Sequence, residues 1–284
     1  MGQAPPVVLS IAGFDPSAGA GITADIKTIA AHGCYGVSCI TALTVQSTAG
    51  VRRVEPLPAG LVTSTLNELA ADFEIAAVKI GMLGSAEVVI ATAEFLEKYR
   101  PPSVVLDPIL KSSSGARLLD KVGAQLMSER LLPLATVITP NLDEAAVLAE
   151  MPVTDVEQMK AAAERLHELG APNVVVTGGH LEKPIDLLSY ATPDGDFQQQ
   201  TFKGERQRST STHGTGCAFA SALACHLALG RTIPEAVLLA KAYVAAAIAH
   251  ASGLGRGVGP VDHLYRMHEQ PRRQAAIEDS ETVH

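Results

Sequence analysis

The sequence predicts an α/β protein in which a mainly parallel sheet lies between two layers of helices. Short apolar runs of strand length alternate with stretches of helical periodicity along most of the 284 residues, which is typical of βαβ units. Apolar residues make up 47% of the chain, enough for strands buried on both faces. No linker rich in Pro, Gly or Ser and no internal repeat interrupts this pattern. We therefore expect one domain over residues 1–284, with its core at about 7–265 and a polar tail at 266–284.

The first strands are predicted from short apolar runs, because a strand buried on both faces of a parallel sheet has no polar side. The run at residues 7–12 ends at Gly13, and the run at 103–106 ends at Asp107-Pro108. Helices are predicted where apolar residues recur every three or four positions. The elements of this half are strands at 7–12, 36–44, 76–80 and 103–106, with helices at 22–32, 57–71 and 85–99.

The second half of the chain continues the alternation of strands and helices, and it ends with a hairpin followed by two helices. After Asn141 two helices follow each other, and the second opens with Thr154 and Glu157 at the spacing of a capping box. Pro193-Asp194-Gly195 lies between two strand-like runs and predicts an antiparallel hairpin. The elements of this half are a helix at 118–132, a strand at 136–139, the two helices, a strand at 173–177, hairpin strands at 185–191 and 197–202, and helices at about 215–229 and 233–251.

Composition and charge exclude several classes of function. Lys and Arg total 22 against 30 Asp and Glu, giving a net charge of −8, and aromatic residues make up 4% with no Trp. Without a basic run or stacking aromatics, we expect no nucleic-acid partner. Residues 209–230 lack charge but carry Gly, His, Ser and Thr, so a buried helix fed by a glycine loop is expected there rather than a membrane span. The four cysteines form no CxxC pair and are interpreted as the reduced thiols of a cytoplasmic protein.

The most specific chemical signal is the segment from Thr212 to Cys217, THGTGC, which leads into a long apolar helix. A glycine turn at a helix N-terminus is typical of an anion site, because free N–H groups and the helix dipole both point at the anion. Cys217 is expected in the first turn, where the same dipole lowers the pKa of a thiol. The alternative is a helix start packed tightly against the sheet, with an inert buried cysteine.

A second glycine-rich segment, Gly13 to Ile22, follows the first predicted strand. Gly19-x-Gly21-x-x-Ala24 superficially matches a dinucleotide fingerprint, but it lies well past the strand end and no acidic residue follows about 20 positions later. The segment is interpreted instead as a loop that closes over a small substrate, with Asp25 pointing back at it. Considered alone, Asp25 is better explained as a solvated helix residue.

Oxygen ligands for a metal ion follow two neighbouring strands. Asp107-Pro108 ends one strand, and Asn141-x-x-Glu144 follows another. Two carboxylates and an amide at adjacent strand ends suit a Mg²⁺ ion that keeps much of its water. The spacing fits equally well with Glu144 as an ordinary acid at a helix N-terminus, where the dipole favours it. Gly178-Gly179-His180, after a further strand, is either a nucleotide-facing turn or only a tight strand exit.

Together, these motifs resemble the ribokinase superfamily, and within it the hydroxymethylpyrimidine/phosphomethylpyrimidine kinases of thiamine biosynthesis. The resemblance spans about residues 7 to 262, and the motifs occur in the order of the family, which is far more specific than any one of them. It implies a ribokinase-like three-layer fold. The matching segments are Ile11 to Asp25, Ile40 to Gln46, Lys79 to Leu83, Asp107-Pro108, Thr139 to Glu144, Gly178 to His180, Thr212 to Cys217 and Gly257 to Pro260.

The resemblance implies ATP- and Mg²⁺-dependent phosphorylation of the hydroxymethyl group of 4-amino-5-hydroxymethyl-2-methylpyrimidine, and then of its monophosphate. Cys217 takes the place where sugar kinases of the superfamily hold an aspartate base, so it is expected to accept the hydroxyl proton. The N–H groups from Gly214 to Cys217 are expected to hold the transferring phosphoryl group. The implied set is Gly13, Asp25, Gln46 and Met82 for the pyrimidine, Asn141, Thr177, Gly179 and Lys241 for the nucleotide, Asp107 and Glu144 for Mg²⁺, and Gly214, Thr215, Gly216 and Cys217 for catalysis.

The chain departs from the family pattern at a few positions. Thr177 stands where a lysine is common, and Lys111 or Lys241 could compensate at the nucleotide phosphates. Ala18 stands where glycine is frequent, and the loop at 109–115 differs from the usual sequence. Family habit implies a homodimer.

Two rival functions remain at this stage. One is a pyridoxal or pyridoxine kinase, since some relatives with the cysteine base phosphorylate that ring. The other is a catalytically silent protein that binds the pyrimidine as a sensor. Thr177 alone supports the sensor, whereas the intact loop at 214–217 argues against it, because a sensor needs no base.

Overall fold

Nine strands form one sheet in the computed structural model, which describes residues 4–112, 114–179, 181–192, 194–205 and 209–267. The strands are β1 Val7–Phe14, β2 Tyr35–Ser47, β3 Gly50–Pro56, β4 Ile75–Ile80, β5 Val104–Leu106, β6 Val137–Ile138, β7 Asn173–Val176, β8 Ile185–Ala191 and β9 Phe197–Lys203. Across the sheet they lie in the order β3-β2-β1-β4-β5-β6-β7-β8-β9.

The centre of the sheet is parallel and its edges are antiparallel. Strands β2, β1, β4, β5, β6 and β7 pair in parallel, whereas β3 at one edge and β8 and β9 at the other pair antiparallel. The predicted mainly parallel sheet and the hairpin of β8 and β9 are confirmed. Strand β3 was not predicted, because Gly50–Pro56 is half-exposed and carries Arg52, Arg53 and Glu55 instead of an apolar run.

Helices cover both faces of the sheet. They are α1 Gly21–Ala31, α2 Ala59–Asp72, α3 Ala86–Tyr99, α4 Lys121–Leu126, α5 Leu142–Leu148, α6 Val156–Glu168, α7 Thr215–Ala228 and α8 Ile233–Ala249. The apolar residues of α1, α7 and α8 pack on one face, and those of α2 to α6 pack on the other. This arrangement confirms the predicted three-layer α-β-α sandwich.

Two local expectations were wrong. The helix predicted at 118–132 starts only at Lys121, because Asp120 caps it, and its second half is a π-turn at Met127–Leu131 followed by a 3₁₀ turn at Leu132–Leu134. Helix α6 is capped by Asp155, whose carboxylate accepts the Gln158 N–H at 2.8 Å, so there is no capping box from Thr154. Both helix starts differ from the prediction because an Asp close to the expected start satisfies the helix N–H groups.

Some sequence features lie outside the described residues. His180 and Pro193 are among them, and so is nearly all of the predicted tail at 266–284, of which only Arg266 and Met267 are described. Among the described residues, no helix combines the length and the apolar character needed to cross a bilayer.

The sheet also explains where polar groups collect. Val8, Ala77, Val105, Val137 and Val175 all belong to the core under α1, α7 and α8. Side chains two positions apart along a strand share a face, so the next positions toward the carboxyl edge continue this layer. Those positions are Ser10, Lys79, Asp107, Thr139 and Thr177. A polar layer therefore follows the apolar one at the carboxyl edge, where open parallel sheets bind ligands.

Candidate active site

A buried ion pair occupies the middle of this polar layer. Lys79 on β4 and Asp25 on α1 are both fully buried, and the Lys79 Nζ donates to the two Asp25 carboxylate oxygens at 2.9 and 3.0 Å. The hydroxyls of Ser10 and Ser221 donate to the same carboxylate at 2.6 and 2.8 Å. Asp25 therefore accepts four hydrogen bonds, which is the full capacity of a carboxylate.

The position of Asp25 corrects two expectations from the sequence. Its side chain is neither solvated nor directed at a ligand surface, because every acceptor position is taken by a protein donor. Burial alone would lower the pKa of Lys79, but the negative charge of Asp25, together with Cys217 and Asp107, raises it above the ordinary value. Lys79 is therefore a permanent cation inside the protein.

The loop before α7 has the backbone of an anion site. Gly214 caps α7 with φ +81°, and a Cβ at this position would lie 1.8 Å from the carbonyl oxygen of Gly19. Both the dihedral angle and the contact require glycine. Gly216 is exposed and Thr215 is half-buried, so the start of α7, whose first N–H groups lack helical acceptors, reaches the protein surface at Gly216.

Cys217 lies in the first turn of α7 and is buried. Burial raises the pKa of its thiol to about 12, and the anions Asp25 and Asp107 add to this, although Lys79 and the Gly21 N–H act in the opposite direction. The expectation that the helix dipole lowers this pKa is therefore wrong for the protein without ligands. Desolvation of a buried thiolate outweighs the dipole here.

Asp107 and Glu144 form the acidic part of the site. Asp107 is 4% exposed, and its Oδ2 has no hydrogen-bond partner among the described residues. A Cβ at Gly216 would lie 3.9 Å from that oxygen, so the anion loop passes directly over it. Burial raises the pKa of Asp107 to about 6, with Lys79 opposing and Asp25 adding to the shift.

Glu144 has a structural role and an unusual charge state. Its Oε2 accepts the Asn141 N–H at 2.9 Å while Asn141 Oδ1 accepts the Glu144 N–H at 2.9 Å, which is a complete capping box for α5. Burial, followed by the charge of Asp107, raises its pKa to about 8. Both interpretations of Glu144 from the sequence are therefore compatible with its position.

The glycine loop after β1 is held against the anion loop. Asp15 accepts the Ser17 N–H and hydroxyl at 2.8 and 2.7 Å and the Ala20 N–H at 3.0 Å, and it contacts His213 Nε2 at 2.8 Å. Burial would raise the pKa of Asp15, but the hydrogen bonds from His213 and Ser17 lower it. Ala18, where the family often has glycine, adopts φ +59°.

Gln46 and His213 meet at the mouth of the site. The Nε2 atoms of the two side chains are 3.2 Å apart. They line a cavity of about 70 Å³ that is otherwise bounded by the tip of the β2–β3 hairpin, Ser114 and Val258. The glycine loop at 253–259 closes over this hairpin, since Val258 N–H donates to the Thr48 carbonyl at 3.0 Å.

Gly13 and Met82 form a buried apolar floor at the carboxyl ends of β1 and β4. A Cβ at Gly13 would lie 2.9 Å from Met82 Sδ, so the glycine makes room for the thioether. Met82 packs with Ala42 and Leu118 in a small cluster separate from the two main cores. The three members of the cluster are buried, and their apolar character is the one that usually lines small-molecule sites.

The predicted nucleotide residues gather at the ends of β6 and β7. Asn141 and Thr177 form a bridge next to each other, and Gly179 is exposed. Lys241 on α8 is ion-paired with Asp186 on β8, and Asp186 also accepts the Gly178 N–H at 2.9 Å. Lys241 is thus tied to the turn that follows Thr177, whereas Lys111 lies exposed in a different loop.

Comparison with known proteins assigns the chain to a family. The profile of the phosphomethylpyrimidine kinase family matches residues 15–262. The chain belongs to the phosphomethylpyrimidine kinase family. The match covers every element of the site except β1, which ends at Phe14, and it extends past the closing loop at 253–259.

Relatives of known function agree with this assignment. A hydroxymethylpyrimidine/phosphomethylpyrimidine kinase of Haemophilus influenzae is 41% identical over 257 residues, covering 90% of this chain and 96% of the relative. A thiamine biosynthesis bifunctional protein of Geobacter sulfurreducens is 45% identical over 259 residues. That match covers 90% of this chain but only 52% of the bifunctional protein.

Solved structures share the fold. The ADP complex of a Bacillus subtilis pyridoxal kinase superposes with a TM-score of 0.84 at 33% identity, covering 93% of this chain and all of that one. A phosphomethylpyrimidine kinase of Clostridium difficile gives 0.74 at 38% identity, covering 86% and 99%. The ribokinase-like fold and the assignment to small-molecule kinases are therefore established.

The structure adds residues that the sequence motifs did not single out for a role. Lys79 is the clearest example, since it lies within a segment that matches the phosphomethylpyrimidine kinases, but the sequence motifs imply no role for it. A lysine in an otherwise apolar strand was the available signal, because a buried charge needs a partner. Ser10, Ser221 and Asp186 gave no comparable signal, since their partners are distant in sequence.

Proposed function

We propose that the protein transfers the γ-phosphoryl group of ATP to the hydroxymethyl group of 4-amino-5-hydroxymethyl-2-methylpyrimidine, and then phosphorylates the monophosphate, within thiamine diphosphate biosynthesis. The observation that carries the proposal is the anion loop ending in Cys217, which faces the unpaired Asp107 oxygen next to an apolar floor. The curated relatives named for this activity support the choice of substrate.

In this proposal the pyrimidine lies between the apolar floor and the mouth of the site. Met82, with Gly13 beneath it, contacts the ring face, and the Gln46 amide hydrogen-bonds its polar edge. Asp25 is excluded from direct contact, because its acceptors are already used. We assign it instead to holding Lys79.

Phosphoryl transfer then follows from the start of α7. The Cys217 thiolate takes the proton of the substrate hydroxyl, the oxygen attacks the γ-phosphorus, and the bond to the bridging oxygen breaks so that ADP leaves with its electron pair. The N–H groups from Gly214 to Cys217 hold the transferring group. Since burial keeps Cys217 protonated in the ligand-free protein, the step requires a site whose positive charges favour the thiolate.

Asp107 and Glu144 are the residues that would hold Mg²⁺. They fit the ion, since both are buried carboxyl groups, which are the oxygen ligands that Mg²⁺ prefers, and one Asp107 oxygen lacks a hydrogen-bond partner among the described residues. The described residues offer no cluster of three or more His, Cys, Asp or Glu ligands, so water and phosphate would complete the shell. When bound, Mg²⁺ supplies positive charge that shields the phosphates.

ATP is assigned to the turns after β6 and β7. Asn141, Thr177 and Gly179 line this edge, and Lys241 supplies the nearby cation that Thr177 does not. The ADP complex of the Bacillus subtilis pyridoxal kinase supports nucleotide binding by this fold. We also propose the homodimer and the cytoplasmic location that the family implies.

A pyridoxal kinase is the second candidate, because one of the most similar solved structures carries that name. The experiment that decides measures ADP release with Mg-ATP, offering the pyrimidine and pyridoxal separately and in competition, with product masses determined. Preference for the pyrimidine with mono- and diphosphate products supports the proposal. Preference for pyridoxal contradicts the proposed substrate, and binding without turnover favours the sensor.

The role of Cys217 predicts the behaviour of Cys217→Ala. We expect substrate binding to persist while kcat falls by at least about 100-fold, the range typical of a lost general base. Calorimetric titration and steady-state turnover measure the two effects. Cys225→Ala, eight positions along the same helix and buried in the core, is the matched control and should keep kcat. A near-normal kcat in Cys217→Ala would remove Cys217 from the mechanism.

A further inference from the structure

A buried histidine lies beside Gln46 and takes part in none of the steps above. A Cβ at Gly19 would lie 2.4 Å from Cδ2 of His213, so the imidazole packs directly against the backbone of the glycine loop after β1. The His213 N–H donates to the carbonyl of Gly259 in the closing loop at 3.0 Å. The ring is therefore held between two loops, with its Nε2 directed at Asp15 and Gln46.

Asp15 determines which ring nitrogen of His213 carries a hydrogen. Its Oδ1 accepts the Ser17 N–H and hydroxyl, and its Oδ2 accepts the Ala20 N–H. A carboxyl group that receives three donors is held in its ionised form and has no hydrogen to give. His213 Nε2, which lies 2.8 Å from Oδ2, must therefore donate to Asp15. That nitrogen then has no lone pair with which to accept a hydrogen bond from Gln46.

The contacts of the Gln46 carboxamide decide which of its ends is the oxygen. The end that lies 3.2 Å from His213 Nε2 faces an N–H group, so it bonds to His213 only if it is the oxygen. The Thr44 hydroxyl gives its one hydrogen to the Phe14 carbonyl at 2.9 Å. The other end of the carboxamide, 3.3 Å from that hydroxyl, must then donate and is the NH₂ group. Both neighbours favour the same orientation of the amide.

We propose that His213, oriented by Asp15, is a positioning residue that fixes the Gln46 carboxamide with its oxygen toward His213 and its NH₂ group toward Thr44. The inference rests on the proposed function, in which Gln46 hydrogen-bonds the polar edge of the pyrimidine. A carboxamide held in one orientation presents an acceptor and a donor in a fixed order. It therefore selects a ligand whose donor and acceptor lie in the matching order.

The pyrimidine carries such a pair. Its 4-amino group is a donor, and the neighbouring ring nitrogen is an acceptor. The amide oxygen accepts from the amino group while the NH₂ group donates to the ring nitrogen, as Asn and Gln do with adenine. In the analogue with oxygen in place of the 4-amino group, the ring nitrogen carries the hydrogen and the order is reversed. The ligand cannot turn over to compensate, because its hydroxymethyl group has to face the start of α7.

The test measures the Kd of the 4-amino compound and of its 4-oxo analogue by calorimetric titration, in the full-length protein without nucleotide. We expect the native protein to bind the 4-amino compound at least about 30-fold more tightly. His213→Met removes the ring N–H, and His213→Phe removes it with a ring of similar shape in case the first variant does not fold. The Thr44 hydroxyl can rotate to donate or to accept. Without His213 the amide can therefore turn to suit either compound, and the ratio of the two Kd values should fall below about fivefold.

Two further variants separate positioning from a general effect on the fold. His213→Gln keeps an amide nitrogen with two hydrogens, one for Asp15 and one for Gln46, and should keep the ratio above about tenfold. His250→Met replaces an exposed histidine whose Nδ1 lies 2.8 Å from the Ala246 carbonyl oxygen of its own helix, and it should change neither Kd. A purely structural role of His213 would weaken both compounds by the same factor and leave their ratio unchanged.

An unchanged ratio in folded His213→Met or His213→Phe, judged by circular dichroism and melting, would overturn the inference. Equal binding of the two compounds by the native protein would also overturn it, and the proposed function would stand as long as the 4-amino compound is phosphorylated. A native protein that binds pyridoxal but not the 4-amino compound would contradict the proposed function, and the inference with it. The two failures are distinguishable, because the first appears in a ratio of Kd values and the second in the absence of binding.

Discussion

Glu144 is held in a site that opposes its ionisation, although the same side chain caps α5. Its Oε2 accepts the Asn141 N–H, and burial beside Asp107 raises its pKa from 4.5 to about 8. Between these two values the folded protein keeps the proton while the unfolded chain releases it. The unfolded state then binds fewer protons, so the free energy of unfolding falls as the pH rises from about 4.5 to about 8.

Glu144→Gln removes this pH dependence without removing the cap, since Gln is accepted at the same position of a capping box. At pH 8, without Mg²⁺, we expect the free energy of unfolding to rise by about 4 kcal/mol. At pH 5 both side chains are uncharged in the folded state, and the gain should fall to below about 1 kcal/mol. Urea denaturation at the two pH values measures the difference.

Glu235→Gln is the matched control, because Glu235 forms the capping box of α8 with Thr232. There the hydroxyl and the N–H of Thr232 lower the pKa of an exposed carboxyl. The amide should therefore slightly lower stability at pH 8. A gain of equal size in both variants would show that the effect of Glu144→Gln is unrelated to its burial.

At the scale of elements, the start of α7 depends on one close approach between two loops. Gly214 combines φ +81° with a carbonyl oxygen of Gly19 lying 1.8 Å from where its Cβ would be. The glycine loop after β1 is in turn fastened to His213 through Asp15. The anion loop and the glycine loop after β1 therefore hold each other in place, although Asp15 and His213 are 198 residues apart in sequence.

Gly214→Ala tests this contact between the two loops. We expect a loss of more than about 2 kcal/mol in the free energy of unfolding, since the left-handed backbone costs an alanine about 1 kcal/mol and the clash with Gly19 adds to it. We also expect kcat/KM to fall at least about 100-fold, because the N–H groups of the anion loop would no longer point at the transferring phosphoryl group. Denaturation and steady-state kinetics measure both losses.

Gly230→Ala at the other end of α7 separates the two causes. Gly230 has φ +77° but nothing within 4 Å of its Cβ position. Gly230→Ala should lower the free energy of unfolding only by the cost of the left-handed backbone, and kcat/KM should stay unchanged. Equal losses of stability and activity in both variants would mean that the contact between the loops contributes nothing.

The elements also show how far sequence reasoning reaches. Apolar runs predicted β1, β4, β5 and β7, because burial on both faces leaves a continuous pattern. Strand β3 was not predicted because it lies at the edge of the sheet, where Arg52 and Arg53 are exposed and no continuous apolar run is needed. The cap of α6 was misplaced by one residue, since Thr154 and Asp155 are both good caps and only backbone geometry separates them.

Within the site, the sequence predicted which polar residues lie at the strand ends, but it did not predict their hydrogen-bond partners or their burial. The THGTGC segment correctly indicated a glycine turn at a helix start. The expectations of a solvated Asp25 and of a lowered Cys217 pKa were wrong because both depend on depth. Asp25 is surrounded by donors from β1, β4 and α7, and burial dominates the pKa of the Cys217 thiol. Local spacing carries no information on such distant partners.

At the scale of the whole molecule, the edge proposed to bind the nucleotide is assembled from three distant segments. Thr177 follows β7, Asp186 lies on β8, and Lys241 comes from α8 on the other side of the hairpin. Asp186 joins them, because it accepts the Gly178 N–H and pairs with Lys241. Asp186 on the hairpin therefore holds Lys241 next to the turn after β7, where residue 177 is a threonine.

This assembly predicts that Lys241 takes the place of the lysine that the resemblance to the family implies at position 177. Lys241→Met should raise the KM for ATP about tenfold, a loss of about 1.4 kcal/mol, while the KM for the pyrimidine stays unchanged. Adding Thr177→Lys to that variant should restore most of the ATP affinity, because the new amine starts from the same turn. Lys203→Met, which removes an exposed lysine on β9 next to Gly204, should leave both constants unchanged. If Lys241→Met alters both KM values equally, or if Thr177→Lys fails to restore the affinity of the folded double variant, the cation at this edge serves the fold and not the nucleotide.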